Sequence, residues 1–308
     1  MILCVCPNPS IDKYIWVENF GKGRVNRAKK EDSFPGGKGV HVALGINELG
    51  VETAILGFWA GSTGKWIKSA CESRGIKCYG PEVDGLTRTC LTIKSNDEYN
   101  ETEILGVGPT VQRADFLRFH EEYDRLLKEA DLVSFSGSWP NNKVDAAYDQ
   151  FVAKANEQNK KSLVDCSGNG LLKALEKHPY GVHINHHEGY DLYKTHDVLS
   201  IAEKVAAESY LAAISYGSEG LYLSDGNQMV HALSRVDKVI STVGSGDSLM
   251  AGMAVALFQG DDLQNTAKLA AACGAANCIR EDLGMFYKED VDRLKERCET
   301  NMLNVTKL

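Results

Sequence analysis

Short apolar runs alternate with helical patterns along most of this chain, and that alternation restricts the fold more than any other feature. Residues 2–6 form a continuous apolar run, which suits a strand buried on both faces at the centre of a parallel sheet. Residues 53–58, 131–135, 162–166, 182–184 and 211–215 repeat the pattern. Helices are expected over 63–74, 114–128, 142–156, 171–177 and 198–207, with the last three starting near Asp247, Leu263 and Lys288. Residues 221–224 and 229–233 read as later strands. Repeated βα units imply an α/β fold, a mostly parallel sheet with helices on both faces. Several strands end in small polar residues: Ser136-Gly137-Ser138, Asp165-Cys166-Ser167-Gly168, Asn185 and Ser215-Tyr216-Gly217. They would line one sheet edge, where a ligand crevice belongs.

Two stretches stand outside this rhythm. Residues 14–20 alternate like a half-exposed strand, and the following segment carries Arg24, Arg27, Lys29 and Lys30. A second such piece spans about 87–105, with a turn at Ser95-Asn96-Asp97. Read as short antiparallel strands at about 13–34 and 87–106, the two pieces would pair into a small sheet, a lid inserted into one 308-residue α/β domain. A one-layer sheet needs its apolar face covered, so a second copy of the chain is the expected cover.

Length and a 43% hydrophobic content suffice for one large α/β domain with a small appendage. The net charge of −8 and the lack of a long basic run argue against a nucleic-acid partner. Nine scattered cysteines without a CxxC pair fit reduced, mostly buried thiols in a cytoplasmic protein. The N-terminal run has no basic start and breaks at Pro7, so no signal peptide is expected, and no stretch is apolar for the length of a membrane span.

Glycine carries the chemistry. In residues 241–258, Gly244 and Gly246 flank Ser245, and Asp247 follows where a helical apolar pattern begins. Free N–H groups in a helix's first turn attract anions, phosphate above all. Asp247 would repel phosphate but could take a proton from a hydroxyl about to attack phosphorus; otherwise it is an ordinary cap. Residues 35–50 hold Gly36, Gly37 and Gly39 around Lys38, a phosphate-binding lysine or a solvated one. This is no Walker loop, which requires GxxxxGK followed by Ser or Thr. Asp12, just past the Pro7-Asn8-Pro9 turn, is a candidate to hold a substrate hydroxyl or to cap that turn. His183, His186 and His187 lie close in sequence, but no HExxH pattern or Cys pair supports zinc. Asn185 and Glu188, three residues apart at a strand-to-helix junction, could face a hydrated magnesium.

These residues resemble the PfkB, or ribokinase-like, carbohydrate kinases, within them the 1-phosphofructokinase and tagatose-6-phosphate kinase branch. The likeness covers nearly the whole chain, from NPSID (Asn8 to Asp12) through VNRA, PGGKG, GFWAGSTG, LTRT, TEILGVGP, SGSWP, VDCSG and SYGSEG to TVGSGDS. It implies a ribokinase-like, doubly wound sheet with an inserted lid, ATP and Mg²⁺ as cofactors, and a homodimer clasped through the lid. It implies an anion hole at Gly244, Ser245 and Gly246 with Asp247 as general base. It also implies a sugar site at Asp12, Gly37, Lys38, His41 and Ser138, and a grip on the acceptor's phosphate by Arg27 and Arg88. Nucleotide contacts would come from Asn185, Ser215, Gly217, Gly220, Thr242 and Asn277, and magnesium would be positioned through water by Asn185 and Glu188.

Three departures from the family pattern stand out: His41 replaces a usual Asn that contacts the sugar, His183-Ile184 replaces Lys-Pro before Asn185, and Leu44 replaces a common Arg. The expected reaction is phosphorylation of a ketohexose phosphate by ATP, with fructose 1-phosphate first. Tagatose 6-phosphate or fructose 6-phosphate are the nearest alternatives, and a sugar-phosphate-binding protein that has lost catalysis is the competing class. Lys38, Arg27 and Arg88 together disfavour a nucleoside or unphosphorylated sugar as acceptor.

Overall fold

A computed structural model describes residues 1–142, 146–282 and 284–303. A ten-stranded sheet forms its centre. Ile2–Val5 lies between Thr53–Leu56 and Leu132–Ser136, parallel to both. Beyond Leu132–Ser136 the sheet continues, still parallel, with Lys161–Asp165, Gly181–Asn185 and Leu211–Ser215. Leu221–Ser224, Met229–Leu233 and Glu299–Leu303 then extend it antiparallel, and Lys77–Tyr79 closes the other edge.

The period-2 geometry of Ile2–Val5 divides the interior into two layers. Ile2 and Cys4 point toward helices Lys38–Glu48, Ser245–Gln259 and Leu263–Cys278, whose buried faces fill one side. Leu3 and Val5 point the opposite way, onto Arg113–Glu129, Asp149–Glu157, Gly168–Leu175 and Val198–Glu208. The chain leaves Ile2–Val5 toward one edge and returns on the other side at Leu132–Ser136. Between these neighbours the direction reverses, so a crevice opens beyond their carboxyl ends.

The lid is a separate four-stranded sheet in the order Lys30–Gly36, Ser10–Trp16, Arg88–Lys94, Thr102–Ile104. Ser10 pairs with Arg88 and Trp16 with Lys94, so the two lid pieces join as expected. Within each piece the strands pair antiparallel, as expected, and the central pairing between the pieces is parallel, because each piece enters the lid from the same edge of the main sheet. Its first strand begins at Ser10 and ends at Trp16, earlier than the expected 14–20, and takes Asp12 into the strand instead of a turn. The helix expected over 142–156 begins only at Asp149. Asn141–Asn142 instead pairs with Thr110–Val111, and positions 143–145 of the expected helix lie outside the described residues. The short helix His186–Tyr193 follows the strand-to-helix junction expected at Asn185, while the mostly polar edge strand Glu299–Leu303 was not anticipated. No helix among the described residues is long and apolar enough to cross a membrane.

Two of these helices set the geometry of the crevice. Lys38–Glu48 and Ser245–Gln259 pack against each other at Gly45, where an added Cβ would lie 2.8 Å from Ala251 Cβ and 3.0 Å from Phe286 Cε1. Gly45→Val is therefore expected to cost about 1–3 kcal/mol through overpacking and to lower the urea midpoint. An unchanged midpoint would mean that the two helices are not in this close contact.

Candidate active site

The crevice is a cleft of about 710 Å³ between the sheet edge and the lid. Gly244 caps helix Ser245–Gln259 in a left-handed conformation with φ 85°, which only glycine adopts without strain, and the turn aims the helix's first amides at the cleft. Asp247 stands near this cap, as expected: it is the third helical residue, buried, on the inner side of the first turn. The Ser245 N–H donates to Thr242 O at 3.2 Å, leaving Gly246 among the first-turn amides that the helix itself does not satisfy. Gly37, with φ 92°, caps the other helix; its N–H approaches Asp12 Oδ2 at 3.4 Å.

His41 occupies the space between the two loops. Its Nδ1 lies 2.8 Å from Asp247 Oδ2, and its Nε2 lies 3.2 Å from Asp12 Oδ2. The first contact is an aligned hydrogen bond; the second is a close charge contact whose N–H is not aligned. Burial disfavours an imidazolium here, yet the paired carboxylates outweigh it and push the His41 pKa up to about 10. Burial likewise works against the Asp12 carboxylate, and the His41 contact holds its pKa below the ordinary value nonetheless.

A second chain of contacts, centred on buried Asp165, runs alongside. Lys38 Nζ contacts Asp165 Oδ1 at 2.5 Å, Asp165 Oδ2 meets His183 Nδ1 at 3.0 Å, and His183 Nε2 reaches Ser215 Oγ at 3.1 Å. Burial alone would raise the Asp165 pKa, but Lys38 and His183 hold it well below the carboxylate range. Burial would depress Lys38, whereas Asp165, with Asp247 behind it, keeps the ammonium protonated far above neutrality. Asn185 Oδ1 accepts from the backbone N–H groups of His187 and Glu188, and Glu188 Oε2 accepts from Asn185 N at 2.9 Å. This capping box commits the Asn185 oxygen to the helix and turns Glu188 into the cleft.

Thirteen of the residues singled out from sequence meet in this cleft: Asp12, Gly37, Lys38, His41, Arg88, Ser138, Asn185, Glu188, Ser215, Gly244, Ser245, Gly246 and Asp247. Arg88 donates through Nη2 to Asn8 O at 3.1 Å, and its buried Nε has no partner among the described residues. Ser138 Oγ accepts from Asn8 Nδ2 at 3.4 Å. Others stand back from the cleft lining. Arg27 is exposed on the loop between the first two lid strands. Gly217 and Gly220 shape the turn after Ser215. Thr242 Oγ1 contacts Glu101 of the lid at 3.4 Å, and buried Asn277 holds Met285 O at 3.1 Å beneath Gly244. Asp165 and Glu103 were not selected from sequence. Asp165 was visible only as a polar strand end, and Glu103 was hidden in a lid strand. Burial first, then the neighbouring carboxylates Asp12, Glu101 and Asp247, hold the Glu103 pKa above its usual value.

The family profile described as pfkB family carbohydrate kinase matches residues 6–285. A 1-phosphofructokinase of Bacillus subtilis (strain 168) is 32% identical over 291 residues, spanning 92% of this chain and 94% of that protein. A tagatose-6-phosphate kinase of Staphylococcus epidermidis (strain ATCC 12228 / FDA PCI 1200) is 30% identical across 97% of this chain and 99% of its own. A crystal structure from Thermotoga maritima, described as a possible 1-phosphofructokinase, superposes with a TM-score of 0.89 at 25% identity, covering 99% of this chain and 100% of that one.

The His41 bridge has a measurable consequence for stability. Its folded pKa of about 10 exceeds the ordinary 6.5, so its contribution is complete below pH 6.5 and is lost as pH rises through about 10. Between those limits the folded chain holds the extra proton, and stability should fall by up to about 1.4 kcal/mol per pH unit from this group. Urea unfolding of the wild type and His41→Asn across this window should diverge at low pH and converge toward pH 10. Parallel profiles would mean that the imidazole is not clamped as a cation.

Proposed function

The chain belongs to the pfkB family of carbohydrate kinases, and we propose that it transfers the γ-phosphoryl group of ATP to a ketohexose phosphate. Fructose 1-phosphate, giving fructose 1,6-bisphosphate, is the first choice; tagatose 6-phosphate or fructose 6-phosphate is the nearest alternative. The observation that carries this reading is the position of Asp247, buried in the first turn of a glycine-capped helix and facing a cleft shared with Asp12, Lys38 and Arg88. In the proposed step Asp247 takes the proton of the acceptor hydroxyl while that oxygen forms a bond to the γ-phosphorus. The bond to the β-phosphate's bridging oxygen breaks and ADP leaves. Charge on the transferring group is met by the first-turn amides of Gly244, Ser245 and Gly246, with Ser245 exchanging its Thr242 contact for the ligand.

Among the described residues no ion pair joins Arg88 to a carboxylate, whereas Lys38 is engaged by Asp165. This supports Arg88 as the principal grip on the phosphate the acceptor already carries, with Lys38 as a second charge. Arg27 belongs to this grip only if the lid loop folds inward. Nucleotide contacts fall to Ser215 and the Gly217–Gly220 turn, with Thr242 and Asn277 acting through the loops they brace.

The donor set suits Mg²⁺, which keeps several waters and takes few protein carboxylates alongside substrate phosphates. Glu188 has an oxygen outside the capping box and lines the cleft, while Asn185 holds the helix end that aims it. Bound there, the ion would supply charge neutralisation for the phosphates. The chain is read as one cytoplasmic α/β domain with an inserted lid, paired with a second copy through that lid. Exposed Val25, Ile104, Leu105 and Val107 supply apolar surface for such a contact. Sedimentation at micromolar concentration should show a dimer; a monomer would refute the pairing.

ADP release with Mg-ATP, measured across fructose 1-phosphate, fructose 6-phosphate, tagatose 6-phosphate, fructose and ribose, tests the reaction. One ketohexose phosphate should be turned over, and Asp247→Asn should lower kcat by about 10²- to 10⁴-fold. Arg88→Ala should raise KM for that acceptor and leave the free sugars unaffected. Silence across the panel with ATP still bound would leave a binding protein.

A further inference from the structure

We infer that Glu101 is a positioning residue for phosphoryl transfer, a lid carboxylate that holds Ser241 and Thr242 and, through Thr242 O, fixes the Ser245 N–H of the Gly244 turn. This rests on the kinase reading above and deepens it. Backbone conformation singles the residue out. Among the described residues four non-glycines have a positive φ: Glu101, Asn159, His178 and Lys194. The last three stand just past helix ends, where a left-handed residue is an ordinary way to stop a helix. Glu101, at φ 62°, lies in the hairpin turn between lid strands Arg88–Lys94 and Thr102–Ile104, a position that glycine or asparagine fills with less strain. The turn closes on backbone bonds from Asn100 N to Asp97 O and from Thr102 N to Tyr99 O, both 3.1 Å, and neither uses the Glu101 side chain. The turn by itself therefore gives no reason for a glutamate.

The side chain supplies one. Lys94 Nζ donates to Glu101 Oε1 at 2.8 Å, which anchors one oxygen within the lid, and Thr242 Oγ1 donates to Oε2 at 3.4 Å. Burial works against the carboxylate, and the hydrogen bonds from Lys94 and Ser241 hold its pKa below the usual value nonetheless. Ser241 Oγ also lies 3.1 Å from the buried Tyr14 OH of the lid and accepts from Val243 N at 3.3 Å. Thr242 O in turn accepts from Ser245 N at 3.2 Å. The lid thus grips both residues at the start of the loop, and the second of them holds an amide that the proposed reaction directs at the γ-phosphoryl group. Donors fixed in direction before charge develops are the effective ones. Glu101 itself does not line the cleft, so it acts only through Ser241 and Thr242.

The test compares wild type, Glu101→Gly and Glu101→Gln. Glycine relieves the left-handed backbone and leaves the turn its own bonds, so the urea midpoint of Glu101→Gly should hold. With Mg-ATP and the ketohexose phosphate its kcat should nevertheless fall about tenfold, the effect of a small misplacement of the amides. Acceptor KM should change little, because the sugar side of the cleft is untouched. A Glu101→Gly chain with unchanged kcat overturns the inference, as does one in which only acceptor KM rises. If glycine lowers the midpoint, Glu101→Gln carries the comparison: it keeps the side-chain length, loses the charge that Lys94 pairs, and should lower kcat by a smaller factor. An unchanged kcat there overturns the inference equally. Hydrogen exchange decides the matter without turnover. With no substrate present, the Ser245 amide should exchange several-fold faster in Glu101→Gly than in the wild type, while Ala254, midway along the same helix, should not change. Equal exchange at Ser245 overturns the inference even where the kinase reading stands. Faster exchange at Ser245, in a chain whose wild type turns over no ketohexose phosphate, would refute the kinase reading alone.

Discussion

The close packing of helices Lys38–Glu48 and Ser245–Gln259 is the constraint on which the site depends. Their contact at Gly45 and Ala251 admits no extra methyl, so the two helix N-termini are held side by side. Each begins at a left-handed glycine, Gly37 or Gly244, and both starts open beyond the carboxyl end of Ile2–Val5. Two loops some two hundred residues apart in sequence thereby become opposite walls of one cleft. A loss of this contact would misplace Asp247 relative to Asp12 by more than a hydrogen bond tolerates, and catalysis is sensitive to displacements of that size.

The lid is linked to the same loop from above. Tyr14 OH and Ser241 Oγ are 3.1 Å apart, and Glu101 reaches Thr242 at 3.4 Å, so strands of the lid touch the segment just before Gly244. Lys94, paired with Glu101 at 2.8 Å, braces the carboxylate that makes the second contact. Movement of the lid would therefore reach the Gly244 turn through two side-chain contacts, one buried and one exposed.

The main sheet and the glycine loops were legible in sequence because they follow local rules: continuous apolar runs, helical spacing, glycine where an amide must face a ligand. The lid's existence was legible too, but not its parallel centre, since two strands separated by some seventy residues give no local sign of their direction. Residues 142–156 failed as a helix at their start because Asn141–Asn142 finds strand pairing with Thr110–Val111, a long-range contact that outweighs propensity. Asp165 was read as one more polar strand end. Only the fold brings Lys38 and His183 to its two oxygens, and with them its role. Asn277, which the resemblance places on the nucleotide side, is buried beneath Gly244 with its amide donating to Met285 O.

Charge in the cleft follows one rule, that each of these carboxylates meets a donor. Asp12 and Asp247 share His41, Asp165 takes Lys38 and His183, and Glu188 takes the Asn185 N–H. Such pairing offsets desolvation that would otherwise protonate the acids or expel the charge. It also decides where an anionic substrate can bind. A phosphate entering near Asp165 would compete for Lys38 with a carboxylate already in contact, whereas near Arg88 it meets a guanidinium that, among the described residues, is bonded to the neutral Asn8 carbonyl and has a buried Nε without a partner. Glu103, the cleft acid whose pKa is held up by burial and by like charges, stands on the lid near the same acceptor side. A phosphate bound at Arg88 would add one more negative charge to those that already raise the Glu103 pKa.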